Sequence, residues 1–206
     1  MKAQIYRLAW KELPRLPQSL VLGVTDLVAG VVASARPGSV RQLERNYARL
    51  LGRPATRGEV REGVRSYFRC FAQQFTMVGW DKAQIRRGCV WPGADRATEL
   101  MADGPVVLAL THSGNWDLAG AWFCENYLPL VTVAEKLEPE DLFDQFVQFR
   151  ESLGMEIIGV GRGDHVFEEL VEKTDGRSIL VPLLADRDIS GSGVEVDLGA
   201  SKALVA

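Results

Sequence analysis

A chain of 206 residues with 47% hydrophobic and 25% charged side chains has ordinary globular composition and enough length for one well-buried core, so one domain with appendages is expected. Its three cysteines, Cys70, Cys89 and Cys124, fit neither a disulfide framework nor a CxxC metal clip and read as reduced thiols of a cytoplasmic protein. The net charge of −3 conceals a basic front and an acidic back, since Lys+Arg against Asp+Glu gives +2 for residues 1–35, +6 for 36–69, −2 for 70–134 and −9 for 135–206.

The front reads as helical. Ile5, Leu8 and Leu13 fall on one side of a first helix while Arg7, Lys11 and Arg15 recur on another, until Pro14 and Pro17 end or bend it. A second, apolar helix is predicted over 18–33. Its richest stretch, Leu20 to Ala35, is interrupted by Thr25, Asp26 and two glycines, short of the roughly 18–20 uninterrupted apolar residues of a spanning helix. The start lacks a secretory cleavage pattern, so the chain is expected to be soluble or to lie on a membrane without crossing it. After Arg36-Pro-Gly-Ser39 a helix over 40–51 is stopped by Gly52-Arg-Pro54. Thr56 with Glu59 three residues on is a capping-box signal for another helix over 56–78.

From residue 94 the period changes. Short apolar runs at 106–110, 130–134, 155–160 and 178–184 alternate with helical runs at 95–102, 116–126, 139–153 and 164–174, the pattern of a mainly parallel sheet flanked by helices. The organisation read from this is a helical region over 1–93, associated with a membrane, and an α/β core over 94–206. Ligands of such sheets sit at the carboxyl ends of the strands. One of those loops carries Leu110-Thr-His-Ser-Gly-Asn-Trp-Asp117.

On a continuous helix His112 and Asp117 would point to different sides, because five residues turn the chain by about 140° beyond a full turn. If His112 instead ends the strand, Ser113-Gly114 makes the turn and Asn115 caps a helix holding Asp117 in its first turn, then the carboxylate can reach back to the imidazole. A carboxylate on one ring nitrogen leaves the other able to take a proton from a hydroxyl. The bland alternative is a strand-end histidine satisfied by backbone, with an acid favoured by the helix dipole.

The same stretch resembles the HX4D/E motif of glycerolipid acyltransferases, in the branch that contains bacterial lipid A acyltransferases and actinobacterial phosphatidylinositol mannoside acyltransferases. The segment from Arg36 to Asn46 and the acidic block from Leu184 to Leu198 are similar to further parts of that family. The resemblance implies that the sheet is the glycerolipid acyltransferase one, that His112 is the base and that Asp117 supports it. It places Glu135 and Arg150 at acceptor-side and charge-binding positions and offers Asp186 as a further acidic partner of His112, competing with Asp117. Asn115 and Arg187, inside the matching motifs, join the substrate-binding set. The implied reaction moves a fatty acyl group from acyl-CoA to a sugar hydroxyl of a phosphatidylinositol mannoside, without metal, cofactor or covalent acyl-enzyme. The implied partners are acyl-CoA, the glycolipid and the membrane surface, with no nucleic acid, and the implied place is peripheral on the cytoplasmic face of the cell membrane. The alternatives are a lipid A type enzyme using acyl carrier protein and a catalytically silent lipid-binding fragment, because family members continue well past Leu198 and the chain reads as truncated.

Other signals weigh less. Ile158-Gly-Val-Gly-Arg-Gly-Asp164 lacks the third glycine of GxGxxG and reads as a plain turn capped by Asp164 before a nucleotide site. Arginines 41, 45, 49, 53, 57, 61, 65 and 69 recur every four residues, either as solvated helix faces or as a surface for phosphate and lipid headgroups. Arg7, Lys11, Arg15 and Trp10 with the apolar second helix are expected at an anionic bilayer. His165 has no acid five residues on, and Ser113 lacks the GxSxG elbow.

Overall fold

A computed structural model describes residues 2–161, 166–186 and 193–205. The chain forms two compact units, Met1–Ala9 with Val78–Leu184 and Trp10–Met77 with Ala185–Ala206. Each unit therefore draws on both of the sequence segments 1–93 and 94–206. The reason is that packing partners lie far apart in sequence: Arg7 pairs with Asp141 and Tyr6 packs against Phe146 in one unit, and the Ala200 amide donates to Leu50 O in the other.

Helix α1, Lys2–Glu12, gives way to a 3-10 turn at Leu13–Arg15, where Pro14 cannot donate to the helix ladder. Helix α2, Gln18–Ala35, starts directly after Pro17. Helix α3, Gly38–Leu51, ends on Gly52 at φ +65, the left-handed geometry that glycine adopts without a Cβ clash. Helix α4, Arg57–Met77, opens on the expected box, with the Thr56 amide donating to Glu59 Oε2 at 2.7 Å and the Glu59 amide to Thr56 Oγ1 at 3.2 Å. The Arg53 guanidinium and these Thr56 bonds draw the Glu59 carboxyl down to about 2. Ala29, Val40, Val60 and Val64 form the buried core where these helices meet, with Leu43 and Phe68 packed on it.

The arginine repeat divides in two. Arg41, Arg45, Arg49, Arg53, Arg57 and Arg61 are exposed, as a solvated face requires. Arg65 and Arg69 instead turn onto Asp26 of α2, each donating through Nε and Nη2 to both carboxylate oxygens at 2.5–3.0 Å.

In the other unit, α5, Lys82–Gly88, opens on a capping box between Asp81 and Gln84, and α6 spans Ala94–Leu100. Strand β1, Val106–Leu110, leads to α7, Trp116–Asn126, then β2, Leu130–Glu135, α8, Glu140–Ser152, β3, Met155–Val160, α9, Val166–Thr174, and β4, Leu180–Leu184. The strands are parallel in the order β1-β4-β2-β3, with Leu110 opposite Leu184, and Glu135 opposite Val160. Val131, Ile158, Ile179 and Val181 lie wholly inside, as near-continuous apolar strands covered by helices must. The α/β reading is correct. The acidic block beyond β4 adds a hairpin that period-based reading missed: β5, Val194–Leu198, antiparallel to β6, Ser201–Val205.

None of the three cysteines forms a disulfide. Burial pushes the Cys124 thiol up to about 11, which makes it a packing group rather than a nucleophile.

Candidate active site

β1 ends at Leu110, and the next five residues convert the strand into α7 within a tight loop. The Ser113 amide donates to Thr111 O at 2.7 Å, and the hydroxyls of Thr111 and Ser113 lie 2.6 Å apart. Gly114 takes φ +67, where a side chain would be strained. Asn115 then caps the helix, its side-chain oxygen accepting the Leu118 amide at 3.0 Å. The turn, the cap and the place of Asp117 in the first helical turn are as the sequence predicts. The cap gives Asn115 a structural task within the loop.

His112 is exposed on the carboxyl rim of the sheet, with its ring set edge-on to Trp116 at 6.0 Å between centroids. Asp117 is 1% exposed. A carboxylate so deeply placed needs a counter-charge, and Arg150, in the last turn of α8, donates through Nε to Asp117 Oδ1 at 2.8 Å. The Arg150 side chain is only 16% exposed, and its guanidinium carbon lies 5.9 Å from the Phe146 ring centroid, one helical turn back. The pair is positioned from two sides: the cap fixes Asp117, and the stem of α8 with Phe146 fixes Arg150.

Of the residues singled out from sequence, the structure joins Asp117 to Arg150 across 33 positions. Glu135 ends β2 on the same carboxyl edge from which His112 emerges, and the Lys136 amide extends that ladder by donating to Val160 O at 2.9 Å. Because β4 separates β1 from β2, these strand ends stand about 10 Å apart. Asp186 follows β4 by two residues and belongs to the other compact unit. Arg187, His165 and most of the glycine-rich turn lie outside the described residues. Within that motif Gly159 is set by packing, since a Cβ there would meet Phe143 Cζ of α8 at 2.8 Å. This favours the plain βα reading of the turn.

Two features went unread in the sequence. Arg150 appeared only as a charge-binding position, whereas its Nε is committed to Asp117. The signal that was there is Phe146 four residues before Arg150 on a helix, a spacing that places a ring under a guanidinium. The edge-on contact of His112 with Trp116 had no such signal, because the two residues flank a turn and do not share a helix. Among the described residues there is no cluster of three or more His, Cys, Asp or Glu side chains able to hold a metal ion.

Residues 2–206 match the family model of the bacterial lipid A biosynthesis acyltransferases. A phosphatidylinositol mannoside acyltransferase of Mycolicibacterium smegmatis is 39% identical over 198 residues, which cover 93% of this chain and 64% of the relative. Phosphatidylinositol mannoside acyltransferases of two Mycobacterium tuberculosis strains are 36% identical over 199 residues, covering 93% of this chain and 62% of each relative. The chain thus spans less than two thirds of the length of these curated relatives.

Proposed function

The chain belongs to the family of bacterial lipid A biosynthesis acyltransferases, and from that premise we propose that it transfers a fatty acyl group from a thioester, acyl-CoA, to a sugar hydroxyl of a phosphatidylinositol mannoside or related glycolipid. The observation that carries this reading is the buried Asp117–Arg150 ion pair in the first turn of the helix that directly follows the exposed His112 at the sheet's carboxyl rim.

In this reading Asp117, with Oδ1 held by Arg150, presents its second oxygen to the imidazole and orients it. His112 takes the proton of the acceptor hydroxyl as that oxygen attacks the thioester carbonyl. The C–S bond then breaks, and the thiolate leaves with the proton returned by His112. The developing oxyanion is met by backbone amides at the α7 N-terminus, where the helix dipole favours negative charge. The Leu118 amide is already used by Asn115, which narrows those donors to amides ahead of it. Glu135, on the same rim, contacts the acceptor. The work is done peripherally, at the cytoplasmic face of a cell membrane where the acceptor resides.

The test is thiol release from acyl-CoA with the mannosylated lipid as acceptor. His112→Ala should lower the rate at least about 100-fold, the lower range of general-base contributions, with an unchanged thermal melt. Equal rates for the variant and the wild type would refute the assignment. Acceptance of acyl carrier protein thioester with a lipid A precursor, and refusal of acyl-CoA, would move the chain to the other branch of the family. Binding of glycolipid without turnover would identify a silent lipid-binding protein.

A further inference from the structure

Trp116 opens α7 directly after the Asn115 cap, so its backbone is held by the bond that ends the turn. The next residue, Asp117, is turned inward and tied to Arg150, which fixes the rotation of that first helical turn and with it the side from which Trp116 projects. The indole is neither sunk in the core nor fully in water. Trp10, Trp91 and Trp122 each pack on a second aromatic ring, that of Phe75, Phe123 and Tyr127 respectively, and Trp122 also donates its indole N–H to Arg86 O at 3.1 Å. Trp116 differs on both counts. Among the described residues the one ring beside it is the His112 imidazole, at 6.0 Å between centroids and 71° between planes. Its Nε1–H makes no hydrogen bond among the described residues and is not buried, so this donor is open to solvent.

A buried indole finds a partner for its N–H, and an indole at a wet boundary serves with an apolar body and a polar tip. The second arrangement suits a ligand that is apolar on one side and polar around its edge. A pyranose is such a ligand, since its C–H groups pack on an aromatic face and its hydroxyls accept from an N–H. The surroundings agree. Thr111, His112 and Ser113 are all exposed, and the hydroxyls of Thr111 and Ser113 lie 2.6 Å apart. A hydrocarbon chain laid there would desolvate these groups without replacing their bonds, whereas a sugar can bond to them. A sugar in ordinary contact with the indole, about 3.5–4.0 Å from it, brings its ring hydroxyls toward the imidazole. With ring centres 6.0 Å apart, one hydroxyl comes within the roughly 2.6–3.2 Å that proton transfer requires.

We infer that Trp116 is an acceptor-binding residue: the sugar ring of the acceptor seats on its indole, and Nε1–H donates to a hydroxyl of that ring. Resting on the glycolipid acceptor proposed above, this adds the side chain that holds the sugar against His112.

The experiment is calorimetric titration of the full chain with a deacylated phosphatidylinositol mannoside, and separately with CoA, for wild type, Trp116→Ala and Trp116→Phe. Trp116→Ala should bind the mannoside at least about tenfold more weakly, or by about 1.4 kcal/mol. Trp116→Phe keeps a ring and loses the N–H, and should bind it about threefold more weakly, the lower range for one neutral hydrogen bond. Unchanged mannoside affinity in either variant overturns the inference and leaves the proposed function standing. Absence of mannoside binding by wild type overturns the sugar acceptor itself and the inference with it. A loss of CoA affinity that equals or exceeds the loss for the mannoside overturns it in favour of a donor contact or a structural role. In the transfer assay the acceptor KM of Trp116→Ala should rise by the same factor as its mannoside dissociation constant. A lower kcat with acceptor KM unchanged would mean that the indole only orients the imidazole, and would also overturn the inference.

Discussion

Replacing Arg150 with methionine isolates the interaction on which the site rests. The variant keeps most of the apolar stem and removes the charge that faces Asp117, which is 1% exposed. Two unit charges about 4 Å apart attract by about 4 kcal/mol at an effective dielectric of about 20, and breaking a buried pair from one side typically costs about 3–5 kcal/mol. The Arg150 side chain is 16% exposed, little enough that solvent screens the pair only weakly. Taking about 3 kcal/mol and roughly 2–4 °C per kcal/mol for a chain of this size, the melting temperature should fall by about 6–12 °C. The decisive assay is a double-mutant cycle in urea with Asp117→Asn. The double variant should be more stable than Arg150→Met alone, because no buried charge is then left without its partner. Additivity within about 0.5 kcal/mol, or an Arg150→Met melt indistinguishable from wild type, would show that the contact contributes nothing and that Asp117 is held by other means.

Asp26→Asn should lower the urea midpoint at neutral pH and flatten its dependence on pH. The two guanidiniums hold the Asp26 carboxyl far below the usual carboxylate range, so its stabilisation is present above the unfolded value of about 3.9 and is lost as pH falls below it. Urea midpoints of wild type and variant should therefore converge toward acid, and midpoints that stay parallel would refute the clamp. Thr56→Ala removes the α4 cap and should cost about 1 kcal/mol in the same assay. Gly199→Ala places a Cβ 2.4 Å from Leu50 O at φ +61. It should cost about 1–3 kcal/mol by overpacking alone and strip hydrogen-exchange protection from the Ala200 amide. Retained protection there would mean that the hairpin is seated by other contacts.

Much of the architecture was legible because its signals are local. The switch from helical to strand period near residue 94, the box at Thr56 and Glu59, and the strand-turn-helix from Leu110 to Asp117 each depend on residues a few positions apart. The structure reproduces them nearly to the residue. The short helix α5 had its own signal, Asp81 with Gln84 three residues on, and was passed over because seven residues give a weak period. The hairpin of β5 and β6 was hidden for a different reason: Glu195, Asp197 and Lys202 make its strands read as a charged block, and its seat on Leu50 lies 150 residues back.

The sequence by itself determined that helices precede a parallel α/β sheet, that His112 stands at a strand end, and that Asp117 opens the next helix, since spacing and capping act along the chain. Only the tertiary structure chose Arg150, among eighteen arginines, as the partner of Asp117, and Arg65 with Arg69 as the partners of Asp26. It also turned the aliphatic side of α2 outward. Partnerships between residues more than thirty positions apart are set by how elements pack, and the free energy that selects them, burial of charge with its counter-charge and of apolar surface against its like, has no counterpart in local periodicity.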